Sequence, residues 1–519
     1  MTFLSYPYLS APDTFVCYRI GAKPIGFTIP NARSSHQYNL REMKKRRRAI
    51  RLIPLLALAT CTLVVTTGLA AQTNKAKTAI VNGGVHADNN GNPINAHGGG
   101  FLKVGDYYYW IGENRHDDVL VSCYRSKDLV SWELRGNLLT RQSNPELAQA
   151  NIERPKVIYN EATKQFVMWM HYEIRTDYSY ARAAVATSTD IEKPFTYLRS
   201  FRPFDNMSRD CNLFKDDDGT AYFISSTREN RDMNVYELTA DYLDVKEKVQ
   251  MLWPDSQREA PAVVKRGRYY FMLTSFCTGW DPNQAKYAYA TSMRGPWSAL
   301  KNVGSPMSFD TQPTYILPIQ GAKTTSYLYI GDRWDPSQYF NSRYIFLPLA
   351  FPNDTTMVME WASKLSVDLK SGKLSAKASA PKQLRIKSKW TGAYLAPLRA
   401  AEDGANAVGN YRLDYAKEDL RWVVEPVGKN FARIKHTQSG RYLDDQAALS
   451  DKKSDDGQVW MIVKQSDGWC KLVNKKSGKA LSIERSRNKS DEKLFTTAYD
   501  DKYDQHYDKQ GFLLAPVYE

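Results

Sequence analysis

In four places this chain sets a side chain capable of chemistry just ahead of an apolar run: Glu153 before "RPKVIYN", Asp210 before "CNLF", Glu259 before "APAVV" and Gln312 before "PTYI". An acid at such a place contributes nothing to strand packing, whereas carboxylates gathered from distant parts of a chain are common equipment for general acid and base work. Asp210 stands in "SRDCNLFKDDDGTAYF" with three further aspartates, Asp216 to Asp218. A calcium loop staggers its ligands at alternate positions and closes with a glutamate at the twelfth, and that pattern is missing. Asp-Gly between two aromatic and β-branched runs is a hairpin signal instead. The run Asp216 to Asp218 is therefore assigned to a turn, which leaves Asp210 for another purpose.

The elements that must position these residues repeat. From about residue 95 the chain alternates short strands rich in Tyr, Phe, Val and Ile with Gly- or Asp-bearing turns, as in "GGGFLKVGDYYYWIGE", "RPKVIYNEATKQFVMWMHY", "EAPAVVKRGRYYFMLTS" and "TQPTYILP". Five such units at a spacing of roughly 50 residues predict an all-β fold, a five-bladed β-propeller. In a propeller the starts of the innermost strands converge on one axial face. Glu153, Asp210, Glu259 and Gln312 would then meet.

A second rhythm follows the polar stretch "SGKLSAKASAPKQ". "LRIKSKWTGAYLAP", "ARIKHTQSGRYLDD" and "CKLVNKKSGKALSI" are three copies of strand, Ser/Thr-Gly turn, strand, with Trp422 and Trp460 after the first two. Threefold repetition with a Gln-x-Trp-like element resembles a ricin-type β-trefoil, similar to carbohydrate-binding module family 13, over about residues 382–519. The two tryptophans are expected in its core.

The 519-residue chain carries a formal charge of +15. The first 51 residues hold ten Lys/Arg against Asp13 and Glu42, and the remaining surplus is spread without basic blocks, so a nucleic-acid partner is not expected. "MKKRRRAIRLIPLLALATCTLVVTTGLAAQ" is basic and then apolar, ending in small residues, which is the pattern of a secretory signal starting at Met43. The reading is export to the periplasm or beyond, without lipid anchoring at Cys61 and without a stable membrane span once the signal is removed. Cys123, Cys211, Cys277 and Cys470 are too far apart for a CxxC metal or redox motif, and free buried thiols are expected.

At "NAHGGG", "YYWIGENR", "ERPKVIYN", "SYARAAVATS", "REAPAVVKRGRYYFMLTS", "TGWDPN", "DTQPTYI" and "GDRW" the chain resembles glycoside hydrolase family 43, and within it the exo-β-1,3-galactanases, over about residues 90–365. The resemblance implies an inverting glycosidase in which Glu259 is the general acid, Asp210 positions that acid and adjusts its pKa, and Gln312 orients the attacking water; no cofactor is expected and no His/Asp cluster points to a catalytic metal, with a structural ion on the axis left open. It implies that Glu153, Glu113, Tyr180 and Thr278 contact the sugar, with Tyr178 competing for the place of Tyr180. The base aspartate of the wider family is absent from "NAHGGG", so Glu153 or Glu113 is an alternative proton acceptor, and His97 is either a ligand or a turn residue. Inversion implies about 6.5–9.5 Å between the acid and the water-activating group.

The implied substrate is a plant-type galactan cut from its non-reducing end, with a possible second glycan site on the trefoil. Arabinofuranosidase or xylosidase activity, and sugar binding without catalysis, are the alternatives. The expected organisation is an upstream extension over 1–42, a signal over 43–71, a hydrolase domain over 72–370, a linker over 371–383 and a trefoil over 384–519.

Overall fold

The computed structural model describes residues 79–398, 408–415, 417–483, 494–500 and 508–519. The expected extension and signal lie outside the described residues. Among those described, the chain is all-β apart from short 3-10 turns, and no helix is long and apolar enough to cross a membrane.

Residues 97–359 form five four-stranded antiparallel sheets, each a meander in chain order. Their first strands are His97–Val104, Ala150–Asn160, Cys211–Lys215, Arg258–Arg266 and Gln312–Gln320. Each first strand packs against the first strand of the next sheet, and the fifth packs against the first, so the sheets close a ring. Local chemistry makes the turns: Asp216 N–H donates to Thr220 O at 2.8 Å and Gly219 takes a φ of +87°. The hairpin over Asp216 to Asp218 then pairs Lys215 with Ala221.

Strands buried on both faces pack the sheets together through five apolar cores, one between each neighbouring pair. Trp169 packs at a tilt against Phe223 between the second and third sheets, and Trp110 meets Phe346 edge-on where the fifth sheet meets the first. Both tryptophans are essentially inaccessible to water. Truncating either to alanine would cost about 3–5 kcal/mol. At the start of the described chain, Ile80–Val81 pairs with Lys364–Asp368, the strand that follows the fifth sheet, and Asn82 Nδ2 donates to Phe346 O and Ala362 O at 2.7 Å each. Early and late segments are thereby tied together.

From Leu384 onward a second all-β region closes on itself: Leu384–Ser388 pairs with Phe512–Pro516, and a path through Trp422–Pro426, Phe431–His436, Val459–Lys464 and Cys470–Asn474 returns to Phe512. The three Ser/Thr-Gly turns are alike, with Gly392, Gly440 and Gly478 N–H each bonded four residues back and φ between +66° and +73°. Trp422 and Trp460 are buried, each donating Nε1–H to the carbonyl of Leu395 or Leu443 at 2.9 Å, and Phe512 completes the same core. Cys123, Cys211 and Cys470 are buried, and none of these three or Cys277 is in a disulfide.

Candidate active site

The first strands bend where they enter the ring. Pairing slips after His97, Glu153 and Glu259, and the next residue in each case, Gly98, Arg154 or Ala260, takes a φ of +51° to +56°. Such bulges break the two-residue alternation and re-aim the preceding side chain. In this fold they turn Glu153 and Glu259 toward the axis, where Asp210 and Gln312 also arrive.

Four groups interlock around Arg154, which is buried. Its Nε lies 2.9 Å from Asp210 Oδ2, one terminal NH2 donates to Pro313 O at 3.1 Å, and the other donates to Gln312 Oε1. Trp334 Nε1–H reaches the same Gln312 oxygen at 2.8 Å. That fixes the amide, whose NH2 donates to Glu259 Oε1 at 2.8 Å and Ser275 Oγ at 3.1 Å. Asn230 Nδ2 donates to Glu259 Oε2 at 2.9 Å, and the Ala260 N–H donates to Asp210 Oδ2 at 3.1 Å. Burial, with the neighbouring Asp210 charge, pushes Glu259 up to about 8. A carboxyl so raised holds its proton at neutral pH and can give it to a leaving group.

The other two acids sit in contrasting surroundings. Glu153 receives Asn151 Nδ2 at 2.7 Å, Arg115 at 3.1 Å and the Tyr178 hydroxyl at 2.5 Å, and lies 3.1 Å from His171 Nδ1. Although burial opposes its ionisation, these donors hold it well below the usual carboxylate range. Glu113 is pushed up to about 7 by burial. Its Oε1 receives the Tyr339 hydroxyl at 3.2 Å while Oε2 has no partner. Glu153, His171 and Asp210 present ligand atoms within 4.8 Å of one another, but Arg115 and Arg154 already answer both carboxylates.

The glycines of the first strand are closely packed. A Cβ on Gly98 would stand 3.1 Å from Arg154 Cγ, and one on Gly100 would stand 2.8 Å from Lys156 Cδ. The glycines let the first strand back onto these two buried cations. His97 is held by Asp332 at 2.9 Å and stacks on Tyr344, so it belongs to the floor of the site rather than to a turn.

Glu259 and Gln312 thus meet directly, Asp210 joins them through Arg154 and the Ala260 N–H, and Glu153 and Glu113 stand beside them. The amide of Gln312 touches Glu259, so the wide acid-to-activator gap that inversion implies does not lie between this pair in the free protein. Tyr180 packs near Tyr172 and the core between the first two sheets, and the hydroxyl at Glu153 is that of Tyr178. Thr278 lies in an exposed loop with its hydroxyl between Asp281 O and Asn283 Nδ2, at 2.5 and 2.6 Å. In that loop Trp280 stacks with Trp334 at 5.9 Å, giving an aromatic wall beside Gln312. Arg154, Asn230, His171 and Trp334 were not singled out from sequence. Arg154 and Trp334 do sit inside the quoted "ERPKVIYN" and "GDRW".

The model of "Glycosyl hydrolases family 43" matches residues 94–327, and that of "Ricin-type beta-trefoil lectin domain-like" matches residues 418–496. An exo-β-1,3-galactanase of Clostridium thermocellum is 40% identical, with 85% of this chain and 100% of that one covered and a TM-score of 0.57. A family 43 β-1,3-galactosidase solved with galactodeoxynojirimycin is 34% identical over 55% of this chain and 99% of its own, at a TM-score of 0.52. An exo-β-1,3-galactanase of Phanerochaete chrysosporium solved with β-1,3-galactotriose is 26% identical, covering 84% and 92%, at 0.56. A xylan 1,3-β-xylosidase of a Vibrio species is 23% identical over 189 residues, 34% of this chain and 35% of that protein, so the match spans about a third of that relative.

Proposed function

The chain belongs to glycoside hydrolase family 43 and is a glycosidase, and from that premise we propose that it is an exported, inverting enzyme releasing galactose from the non-reducing end of β-1,3-galactan. We read the ring of sheets as a five-bladed β-propeller over 72–370, followed by a linker over 371–383 and a β-trefoil over 384–519. Carbohydrate is the partner of both regions, and we place a second glycan site on the trefoil.

The observation that carries the mechanism is the raised, doubly hydrogen-bonded Glu259 beside Asp210. Glu259 gives its proton to the oxygen of the leaving sugar. Asp210 keeps that proton in place by its charge, and Arg154 fixes both Asp210 and the Gln312 amide that holds Glu259. Gln312 contributes in two ways: in the free protein its NH2 holds Glu259, and with substrate bound its carbonyl exchanges one of its two donors, Arg154 or Trp334, for the attacking water, which it orients. A neutral amide is a weak base, and general-base help is worth about 10²–10⁴-fold, so the water proton passes on to a carboxylate of the Glu153 and Glu113 pair. Glu153, ionised and fixed by Arg115 and Tyr178, is built to pair with sugar hydroxyls. A site of this kind rejects sugars that lack the matching hydroxyl, because its own groups are then left unpaired.

The galactanase reading is preferred to a xylosidase one because the relatives with broad coverage act on β-1,3-linked galactose. The test is hydrolysis of β-1,3-galactotriose, β-1,3-xylobiose and arabino-oligosaccharides side by side. Galactose and galactobiose from the first alone support the proposal. Faster release of xylose or arabinose refutes it.

A further inference from the structure

On the same face as the acid, a cavity of about 450 Å³ runs outward over the fourth sheet, lined by Arg258, Phe276, Lys286 and Gln284 among others. Its residues come from the strand ends nearest the site: Arg258 opens the first strand, Phe276 closes the second and Lys286 opens the third. Arg258 pairs in register with Phe276, one step from the pair Glu259 and Ser275 that faces the axis. Because successive strand residues face opposite sides, Glu259 looks into the site while Arg258 looks into the cavity.

The cavity is charged without being balanced. Arg258 is 2% exposed and donates Nε to Thr274 Oγ1 at 2.9 Å and one terminal NH2 to Thr274 O at 2.6 Å. Among the described residues no carboxylate forms an ion pair with Arg258 or with Lys286. Burial lowers Arg258 to about 10, and Lys286 is lowered by burial and by the charge of Arg258. Two cations left together in this way, one of them fully buried, are costly unless an anion joins them. The wall beside them is rigid and apolar: Asn283 accepts from Phe276 N–H at 2.9 Å and donates to Phe276 O at 2.7 Å, holding a 39% exposed ring over the opening.

We propose that this cavity is a subsite for an acidic saccharide, a uronate whose carboxylate is taken by Arg258 and Lys286 while its ring lies on Phe276. The chemistry fits each part. Guanidinium and carboxylate pair as two parallel hydrogen bonds. An aromatic face suits the apolar face of a sugar ring, and the volume lies in the range of small-molecule sites, far beyond what a bare anion fills. Resting on the galactanase reading, and because Arg258 adjoins the acid Glu259 in the strand, we assign the uronate to the leaving-group side, so the favoured substrates are galactans carrying acidic sugar residues there.

Two measurements on the full chain test this. In the first, glucuronate, glucose and inorganic phosphate are titrated into the wild type and into Lys286→Met and Lys286→Arg. The expected result is binding of glucuronate at least tenfold tighter than glucose or phosphate, weakened about tenfold in Lys286→Met and restored in Lys286→Arg. Equal binding of phosphate and glucuronate would reduce the cavity to a simple anion site and overturn the proposal, as would an unchanged affinity in Lys286→Met. In the second, kcat/KM is compared between neutral β-1,3-galactobiose and the same disaccharide bearing a uronate on its reducing-end residue. A preference for the acidic substrate that Lys286→Met abolishes, with the neutral rate kept, supports the subsite. Neutral hydrolysis without that preference overturns it alone. Failure to cleave either substrate counts against the galactanase reading, and the titration still decides the subsite.

Discussion

Replacing Asp210 by asparagine isolates the electrostatic part of the acid's design. Asparagine keeps an oxygen for the Ala260 N–H, now 3.1 Å from Asp210 Oδ2, so the backbone beside Glu259 need not move. The negative charge is removed. At an effective dielectric of about 20, unit charges on the order of 6 Å apart act on each other with roughly 2–3 kcal/mol, the scale taken for the Asp210 charge on Glu259. At about 1.4 kcal/mol per pKa unit, this is on the order of two units at most. Arg154, 2.9 Å from Asp210 in the wild type, is left unneutralised and pulls Glu259 in the same direction. The proton-donating form of Glu259, which persists up to about pH 8 in the parent, should therefore be lost earlier. In a pH profile of kcat/KM on β-1,3-galactobiose, the alkaline limb should fall by roughly one to two pH units, and activity at pH 7.5 should fall about tenfold. A galactoside whose leaving group needs no protonation should show a much smaller loss. An alkaline limb that stays in place or moves upward would refute the reasoning.

Glu259→Gln should lose about 10²-fold or more in turnover on β-1,3-galactobiose while still binding it, as read by titration calorimetry. Because the folded protein keeps a proton on Glu259 that the unfolded chain releases above about pH 4.3, stability falls as pH rises from there to about 8. The same variant should therefore melt above the parent at pH 8, with the gap closing toward pH 4. Trp334→Phe removes a donor to Gln312 Oε1 but keeps the ring, and kcat should fall more than KM rises. Tyr178→Phe should raise KM several-fold and Tyr180→Phe should not, since only the first hydroxyl reaches Glu153. Arg385 of the C-terminal region pairs at 3.1 Å with Asp310, both buried, two residues before Gln312. Arg385→Met leaves that carboxylate unpaired and should cost about 3–5 kcal/mol in denaturant unfolding.

The sheets could be read from sequence because their signals are local: an Asp-Gly at the Lys215–Ala221 hairpin, and paired runs such as "RYYFMLTS" that bury both faces. Asp210, Glu259 and Gln312 were legible for a related reason, since a polar residue ahead of an apolar strand is out of place unless the strand starts converge. Arg154 was not. A cation in a strand ordinarily reads as solvent-facing, and only the closed ring shows that it points inward to three partners. That the hydroxyl of Tyr178, and not that of Tyr180, reaches Glu153 comes from an irregularity that no periodicity reveals. Pairing slips between Tyr172 and Ile174 and Ala181 takes a φ of +44°, so side-chain direction cannot be counted along this strand. The glycines of "NAHGGG" announced tight packing without naming Arg154 and Lys156 as the groups packed against.

The mechanism is decided most directly by what Glu259 and the groups across from it do to the anomeric carbon. Proton NMR of β-1,3-galactobiose during the first minutes of hydrolysis by the full chain measures this. The leaving galactose is released at its anomeric equilibrium, so the expected result is an early excess of α-galactose over the equilibrium share, relaxing to it, with the Glu259→Gln variant releasing no galactose over the same interval. An early excess of β-galactose over the equilibrium share, or unchanged release by Glu259→Gln, would contradict it.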